Sequence, residues 1–495
     1  MLEDDRVVQP MDNALAPPDN APASDFQEVR GRTSVIAFLL GTGIIAASIS
    51  LGRSYVFFLS FLAFSMLMTL LWRKYPRPWI FLASISAATP LNISKYNVTC
   101  NLIFAIWFAA FNPRYLFQLP KWIYVPSVLI IMGILTSSIN WMSGILGGAG
   151  REGIFAINLF LGPFLLLPVL YMRMRESRDH VANLQGLLFC LIVPSTVILI
   201  SAKLFGTVAN EWEASLHAEG ISGGFFLYQF GKVFVNFLRT EVGFILAALI
   251  CASTAVTISQ VKGSYRLIAA ACLASNAFLL LATGSFGSGF ACLCGLAAIF
   301  FAQFRAVNAT KVLMSIATIG CMLLLVYSFA PPNIKDYLGK RYEHRVTNAN
   351  DDRIHLWARA VEHFFQHPEG VGWTLSVGKE MPSFIHNDYL VYAVSYGIFG
   401  GLAYLFLVLG VLIFFFRIPK GLIDDPYAFA IYLAGRGVIV ALALNSITDH
   451  SNENRWYFNV IWSVIWYCYF CSQDKAQTDP CPEEKRSETG ALPVC

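Results

Sequence analysis

The chain alternates between long apolar runs and shorter polar segments along most of its length. Runs of about 17–25 apolar residues have the length that crosses a bilayer as an α-helix. The pattern predicts an all-α, polytopic transmembrane helical bundle of about 12–14 spans. Fourteen spans can be placed, and the short third and fourth leave twelve or thirteen as alternatives: 34–51, 55–72, 79–94, 98–112, 122–139, 154–171, 184–201, 241–260, 265–284, 287–303, 312–329, 385–415, 428–448 and 456–472.

Two polar interruptions are longer than the others, and they organise the chain into five parts. We predict a disordered cytoplasmic tail at 1–33, without a signal peptide, and a second at 473–495. Residues 34–329 form a transmembrane bundle with an outer loop at 202–240. A large outer loop at 330–384, partly helical, joins spans 11 and 12. Residues 385–472 hold the C-terminal spans.

The distribution of Lys and Arg gives the orientation. If the N-terminus is cytoplasmic, the short inner loops hold about fourteen Lys and Arg, and the short outer loops hold about four. Positively charged residues accumulate on the cytoplasmic side of membrane proteins. We therefore expect both termini to be cytoplasmic and both long loops to lie outside.

Composition excludes several classes of function. The chain is 56% hydrophobic, only 13% charged and has a net charge of +4, without a basic, aromatic-rich patch, so no nucleic-acid partner is expected. Its 11 cysteines show no metal-type spacing, and no metal or cofactor is predicted. No internal repeat is evident, which argues against a secondary transporter.

The larger outer loop contains a predicted helix that runs from about Asp351 to His367 and stops at Pro368. Its apolar stripe predicts contact with the membrane surface or with the bundle. Arg353 lies in the first turn, where the helix dipole disfavours a cation. The residue is therefore either a ligand for an anion or a solvated side chain. The stripe comprises Ile354, Trp357, Ala358, Val361 and Phe365.

Two polar motifs follow this helix. Gly370 and Gly372 form a turn whose N–H groups either approach a ligand or belong to an ordinary loop. His386 and Asn387 begin the twelfth span, where a histidine can accept a proton from a sugar hydroxyl or have a structural role. Tyr389 lies on about the same side as His386. Tyr392 and Tyr396 add aromatic surface suited to sugars or to the lipid interface.

Two further arginines lie in or beside spans. Arg239, just before the eighth span, either binds a phosphate or anchors the helix end at the membrane interface. Arg436 lies in the middle of an apolar run between Gly435 and Gly437. A charge at this depth is costly, so a functional or paired role is expected.

The order of these motifs resembles the O-antigen ligase and O-antigen polymerase superfamily. The resemblance is carried by four motifs over about residues 350–410: Arg353-x-x-x-Trp357, Pro368-x-Gly370-x-Gly372, His386-Asn387-x-x-Leu390 and Gly397-Ile398-x-Gly400-Gly401. It implies a metal-independent, inverting glycosyltransferase of the membrane-embedded C type. It also implies a bacterial inner-membrane location and an active face on the periplasmic side.

The resemblance further implies the partners and the roles of residues. The donor is a glycan on undecaprenyl diphosphate, and the acceptor is another glycan or lipid A. Membrane lipids are partners, and a chain-length regulator or a flippase is a candidate partner. His386 is implied as the general base, and Arg353 and Arg239 as the diphosphate ligands. Candidate supporting residues are Asn387, Trp357, Tyr389, Gly370, Gly372 and Arg436.

The chain departs from the family pattern at one outer turn. Members often carry a Ser-Arg pair there, whereas this chain has Phe286 at the arginine position, within Thr283–Ser288. We hypothesise that Arg436 or Arg455 replaces the missing cation.

Four functions in three classes remain open. We favour a polysaccharide polymerase over an O-antigen ligase that transfers glycan to the lipid A core, although both would use the same motifs. A transporter or flippase for the same anionic lipid is the alternative from another class, and a structural subunit of a biosynthetic complex is a third.

Overall fold

The computed structural model describes nine continuous stretches of the chain, two short strand pairs and isolated positions at 84–110 and 317–335. The nine stretches are 112–144, 162–177, 179–205, 239–283, 285–306, 352–372, 385–417, 422–448 and 455–473. The predicted spans at 34–51 and 55–72 lie outside the described residues, as do nearly all of the two predicted tails and most of the predicted spans at 79–94, 98–112 and 312–329.

Helices dominate the described residues, which confirms the predicted all-α, polytopic membrane fold. The α-helices are α1 Arg114–Phe117, α2 Lys121–Gly144, α3 Leu167–Tyr171, α4 His180–Gly186, α5 Val193–Phe205, α6 Arg239–Ile258, α7 Gly263–Thr283, α8 Phe286–Ala306, α9 Asp352–Gln366, α10 Asp388–Phe416, α11 Pro426–Thr448 and α12 Arg455–Cys471. A 3₁₀ turn, Met172–Glu176, follows α3, and a π-helical segment, Leu187–Ile192, joins α4 to α5.

Two small antiparallel strand pairs were not predicted. Strands β1 (Asn92–Ile93) and β2 (Val98–Thr99) pair with each other, as do β3 (Thr207–Val208) and β4 (Tyr228–Gln229). Each strand has two residues, and β3 and β4 lie within the predicted outer loop 202–240.

Six helical segments among the described residues are long and apolar enough to cross a bilayer, and two shorter apolar helices accompany them. These segments coincide with predicted spans to within a few residues. The six are Lys121–Ser138, His180–Ile200, Gly263–Thr283, Phe286–Gln303, Asp388–Phe416 and Pro426–Thr448, and the shorter two are Val242–Ile258 and Phe458–Cys471.

Helix α11 lies at the centre of the described bundle, where it packs against α6, α8, α10 and α12. Small residues permit this close packing. A methyl group added at Gly295 of α8 would lie 2.7 Å from the carbonyl oxygen of Gly437 in α11 and 2.6 Å from Sγ of Cys251 in α6. The three helices therefore meet backbone to backbone, as is common in membrane bundles.

The predicted span 385–415 is not one straight helix. Tyr396 and Gly397 have non-helical backbone angles, with φ 63° at Gly397, and they divide α10 into two parts. The rings of Tyr392 and Tyr404 stack with centroids 4.4 Å apart. Residues this far apart in sequence would be separated by about 18 Å along a straight helix. The first part of α10 therefore folds back beside the second.

Loops that the charge count assigned to the same side of the membrane lie at the same end of the bundle. At one end, the Trp122 indole donates to the Tyr469 hydroxyl over 2.8 Å, and His180 lies 4.0 Å from Asp425. At the other end, which we call the outer end, Thr136 Oγ1 donates to the Glu369 carbonyl oxygen over 3.3 Å. The described contacts are consistent with the predicted alternation of spans.

Candidate functional site

His386 lies at the outer end in the three-residue link that leads into α10. It is half-buried, and its φ of 51° makes it the only non-glycine residue with positive φ among those the structure describes. Left-handed backbone is uncommon outside glycine, although histidine tolerates it better than most residues, and it clusters at functional sites. Hydrogen bonds made by the neighbouring residues therefore have to stabilise this backbone conformation of His386.

The residues on both sides of His386 are hydrogen-bonded to other helices, Ile385 through its peptide carbonyl and Asn387 through its side chain. On one side, the indole Nε1 of Trp357 in α9 donates to the carbonyl oxygen of Ile385 over 2.9 Å. On the other, the Asn387 side-chain amide donates to the carbonyl oxygen of Ile447 in the last turn of α11 over 3.2 Å. Asn387 also caps α10, because its side-chain oxygen accepts from the N–H of Leu390 over 3.1 Å. His386 is thus fixed between α9 and α11.

A buried acid follows directly, and the sequence analysis did not assign it. Asp388 is fully buried in the first turn of α10 and accepts a hydrogen bond from Ser446 Oγ over 3.0 Å. The Tyr404 hydroxyl lies 2.8 Å from the same Ser446 oxygen. A carboxylate is favoured at a helix N-terminus. The sequence does contain a signal that could have identified Asp388, namely an acidic residue at the start of an otherwise apolar span.

Arg353 begins the helix that holds His386 in place. It lies in the first turn of α9, one helical turn before Trp357. Since side chains four residues apart share a helix face, the Arg353 backbone is about 6 Å from that of Trp357. Trp357 in turn contacts the peptide that precedes His386, so the structure brings Arg353 and His386 into one region.

Arg239 begins α6, one turn before Gly243. A methyl group at Gly243 would lie 2.7 Å from Ser288 Oγ, and one at Gly287 would lie 2.7 Å from Thr448 Oγ1. The starts of α6 and α8 therefore lie against the end of α11, where the peptide carbonyl of Ile447 binds Asn387. The Arg239 backbone is thus at the same end of the bundle as His386.

Two helices direct their N-termini toward this end, namely α6 and α8, whereas the folded-back first part of α10 runs in the opposite direction. A helix N-terminus carries about half a positive charge and unpaired N–H groups, so it favours anions. Arg239 begins α6, and His386 lies two residues before α10 begins. The arrangement suits a negatively charged substrate.

The turn at Gly370 and Gly372 uses its N–H groups within the protein. Gly370 N donates to the His367 carbonyl, Val371 N to the Val394 carbonyl and Gly372 N to the Ser395 carbonyl, over 2.9, 3.2 and 2.8 Å. The Pro368 carbonyl accepts from Ile398 N over 3.0 Å. The turn therefore supplies the hydrogen bonds that α10 loses at its break, and these N–H groups do not point to a ligand.

The tyrosines of α10 are mainly packing residues. Tyr392 and Tyr396 are buried, so they do not form the exposed aromatic surface that the sequence suggested. Tyr389 is half-buried, its hydroxyl donates to the Ala443 carbonyl over 3.3 Å, and its ring contacts Tyr404 edge-on at 5.1 Å. Tyr389 consequently ties the folded-back part of α10 to α11.

Arg436 lies away from His386, at the far end of the second part of α10. It is buried, its Nη1 donates to the carbonyl oxygen of Phe415 over 3.2 Å, and its guanidinium lies over the Phe416 ring at 4.2 Å. Ser446, which contacts Asp388, is about 15 Å further along α11. A cation at a helix C-terminus is electrostatically favoured. These contacts give Arg436 partners within the bundle, at the end remote from His386.

The turn without the expected arginine is closed by hydroxyl groups. Ser285 N donates to Thr283 Oγ1 over 3.2 Å, and the Ser285 and Ser288 hydroxyls lie 3.0 Å apart. Phe286 is 38% exposed at the start of α8. The side chains of Arg239, Arg353 and Arg455 lie outside the described residues, so a substitute for the missing cation stays a hypothesis. Within the described part of the chain, no His, Cys, Asp and Glu side chains group as metal ligands would.

Comparison with known proteins gives a family match over part of the chain. Residues 247–405 match the family model of O-antigen ligases. No curated protein matches the chain. The matched region contains Arg353, the glycine turn, His386 and the break at Gly397, and it ends before Arg436. The match supports the O-antigen ligase and polymerase superfamily and confirms the resemblance found in the motifs.

Proposed function

From the match to O-antigen ligases, a family of membrane enzymes that transfer glycans, we propose that this protein is a glycosyltransferase of the bacterial inner membrane. It moves a glycan from undecaprenyl diphosphate at the periplasmic face and polymerises lipid-linked repeat units of a surface or exported polysaccharide. The observation that carries the proposal is the position of His386, fixed between α9 and α11 at the end where Arg353 and Arg239 begin their helices.

The proposed reaction needs one base and a cationic site. A ring nitrogen of His386 accepts the proton of the acceptor hydroxyl, and the hydroxyl oxygen forms a bond to the anomeric carbon. The bond from that carbon to the diphosphate oxygen breaks, and undecaprenyl diphosphate leaves with the bonding electrons. Attack from the face opposite the leaving group inverts the anomeric configuration. General bases of this kind contribute about 10²–10⁴-fold to a rate.

Arg353 and Arg239 are proposed to bind the diphosphate. Negative charge grows on the leaving group as the bond breaks, and fixed cations stabilise it more in the transition state than in the ground state. The N-termini of α6 and α8 add partial positive charge at the same end. Trp357 and Asn387 position His386 and need not touch the substrate.

The surrounding topology belongs to the same proposal. Both termini are cytoplasmic, and both long loops are periplasmic, so the site faces the compartment in which lipid-linked glycans are joined. At this location the protein meets its acceptor, another glycan or lipid A. A chain-length regulator or a flippase is the proposed protein partner there. The five-part division of the chain, with its tails at 1–33 and 473–495, is part of the same prediction.

A second candidate, an O-antigen ligase acting on the lipid A core, is favoured by the description of the matched family. The polysaccharide products of a strain lacking the protein separate the candidates. Loss of a polymerase leaves single repeat units on the carrier or on lipid A. Loss of a ligase leaves long chains on the carrier and bare lipid A. Accumulation of single units on the cytoplasmic leaflet alone would contradict both and indicate a flippase.

A further inference from the structure

Helix α9 presents three chemically different faces. One face packs on the bundle through Trp357, Ala360 and Phe364. A second is exposed and apolar, and a third is exposed and polar. Since successive residues are about 100° apart, each face takes roughly a third of the circumference. The apolar face is Ile354, Ala358, Val361 and Phe365, and the polar face is His355, Arg359, Glu362 and Gln366.

The rotation of α9 about its axis is fixed by contacts near both ends. Near its start, the Trp357 indole donates to the Ile385 carbonyl. After its end, the turn that begins at Pro368 hydrogen-bonds to the break in α10. Ala360, between these contacts, is fully buried. The helix therefore cannot turn its exposed apolar face into the bundle.

This apolar face is too exposed to be stable in water. Ile354 is 63% exposed, Val361 40% and Phe365 75%. They form a continuous stripe, and contiguous apolar surface of this kind marks a contact with lipid or with another protein. The polar stripe beside it is also exposed, so an apolar partner would cover only the apolar side of the helix.

The stripe lies close to surface that the membrane already covers. Pro368, three residues after Phe365, accepts a hydrogen bond from the N–H of Ile398. Ile398 is 50% exposed and begins the second part of α10, whose outward residues include Leu409 and Ile413. The apolar face of α9 therefore ends beside the start of a lipid-facing span.

We propose that α9 lies in the outer surface of the bilayer, with the stripe of Ile354, Ala358, Val361 and Phe365 buried among lipid acyl chains and the stripe of His355, Arg359, Glu362 and Gln366 in water. Helices that separate apolar and charged residues in this way bind at the boundary of headgroups and acyl chains. Arg353 precedes Ile354, so lipid contact holds its backbone at headgroup depth. The lipid contact itself does not depend on the proposed transfer reaction.

Photocrosslinking of the full-length protein tests this arrangement. The photoreactive residue p-benzoylphenylalanine replaces Phe365, Ile354 or Val361 on the apolar stripe, or Arg359 or Glu362 on the polar stripe. Each variant is purified into nanodiscs of phosphatidylethanolamine and phosphatidylglycerol and irradiated, and lipid adducts are measured by intact-protein mass spectrometry. Because these positions are exposed, the substitutions leave the packed face of α9 unchanged.

We expect lipid adducts at all three apolar positions, at least about fivefold more abundant than at Arg359 or Glu362. A variant with the photoreactive residue at Leu409, in a span, gives the reference yield. The proposal is overturned if the apolar positions give no lipid adducts while Leu409 does, or if Glu362 labels as strongly as Phe365. Crosslinks to a second protein chain in place of lipid would also overturn it. Transfer activity does not enter these readouts, so either proposal can fail alone.

Discussion

At the residue scale, two hydrogen bonds of Asn387 support the position of His386, and they can be separated by substitution. Serine at position 387 keeps a side-chain oxygen for the helix cap but cannot reach the Ile447 carbonyl. Alanine loses both bonds. Replacing a good N-cap with alanine costs about 0.5–2 kcal/mol. Loss of the hydrogen bond to the partly buried Ile447 carbonyl costs about 0.5–1.5 kcal/mol.

We therefore expect Asn387→Ala to unfold at a lower temperature than Asn387→Ser, and both to unfold below the unsubstituted protein. Transfer should fall in both variants, because α10 is no longer tied to α11 beside His386. Thermal unfolding in detergent and transfer by the same preparations measure the two effects. Equal unfolding temperatures for the three proteins would show that neither bond matters.

Arg436 provides a contrast at the same scale. Its contacts include the Phe415 carbonyl and the Phe416 ring, at the end of α10 that is remote from His386. Arg436→Gln is expected to lower the unfolding temperature, because it removes the hydrogen bond to the Phe415 carbonyl and the contact with the Phe416 ring, each worth about 1–3 kcal/mol. Transfer per correctly folded molecule should stay within about twofold.

The hypothesis that Arg436 replaces the missing arginine at Phe286 predicts the opposite result. In that case, Arg436→Gln would abolish transfer in protein that folds and reaches the membrane normally. The two outcomes are distinguished by measuring transfer and the amount of folded protein in one preparation.

At the element scale, the break in α10 and the turn after α9 form a single unit. Gly370 and Gly397 both have positive φ, at 87° and 63°. A methyl group at Gly370 would collide with the N atom of Gly397, and one at Gly397 with the Pro368 carbonyl. Left-handed backbone costs a non-glycine residue about 1–2 kcal/mol before any collision is counted.

Gly370→Ala and Gly397→Ala are accordingly expected to destabilise the protein by more than about 2 kcal/mol each. Gly263→Ala is the matched control, since a methyl group there meets no atom within 4 Å, and it should be neutral or slightly stabilising. Chemical unfolding monitored by tryptophan fluorescence gives the comparison. If all three variants behaved alike, the close packing at the break would be refuted.

The sequence predicts the described spans well because their boundaries depend on local composition. The run 265–284 appears as Gly263–Thr283, and 428–448 as Pro426–Thr448. The break at Gly397 is different, since it depends on hydrogen bonds from a turn about 25 residues earlier, which no local pattern reveals. The sequence shows the glycines of the Gly397–Gly401 motif. Their role in the break becomes clear only from the hydrogen bonds to the turn at Pro368.

The candidate site shows the same limit. The sequence identified the motif His386-Asn387 but not the links from Asn387 to Ile447 or from Asp388 to Ser446, which join residues about 60 positions apart. Likewise, Arg436 was recognisable as a costly charge, whereas its partner Phe415 is defined only by the packing of α10 against α11.

At the scale of the whole molecule, the outer end holds the starts of α6, α8 and α10, with α9 packed against α10, and the inner end holds the loops for which the sequence shows most of the Lys and Arg. This arrangement predicts a cytoplasmic C-terminus. Fluorescent protein fused after residue 495 should fluoresce, whereas alkaline phosphatase at the same place should be inactive. Phosphatase inserted near residue 378 in the large loop should be active. The reverse pattern would invert the orientation and move the site to the cytoplasmic face.

The most direct test of the central claim is transfer from a lipid-diphosphate donor by purified protein with a substituted His386. Glycine tolerates the φ of 51° at this position, so His386→Gly removes the imidazole without straining the backbone, and His386→Ala provides a second variant. With unfolding temperatures close to that of the unsubstituted protein, both variants should lose at least about 100-fold in transfer rate. Full transfer by folded His386→Gly would contradict the account.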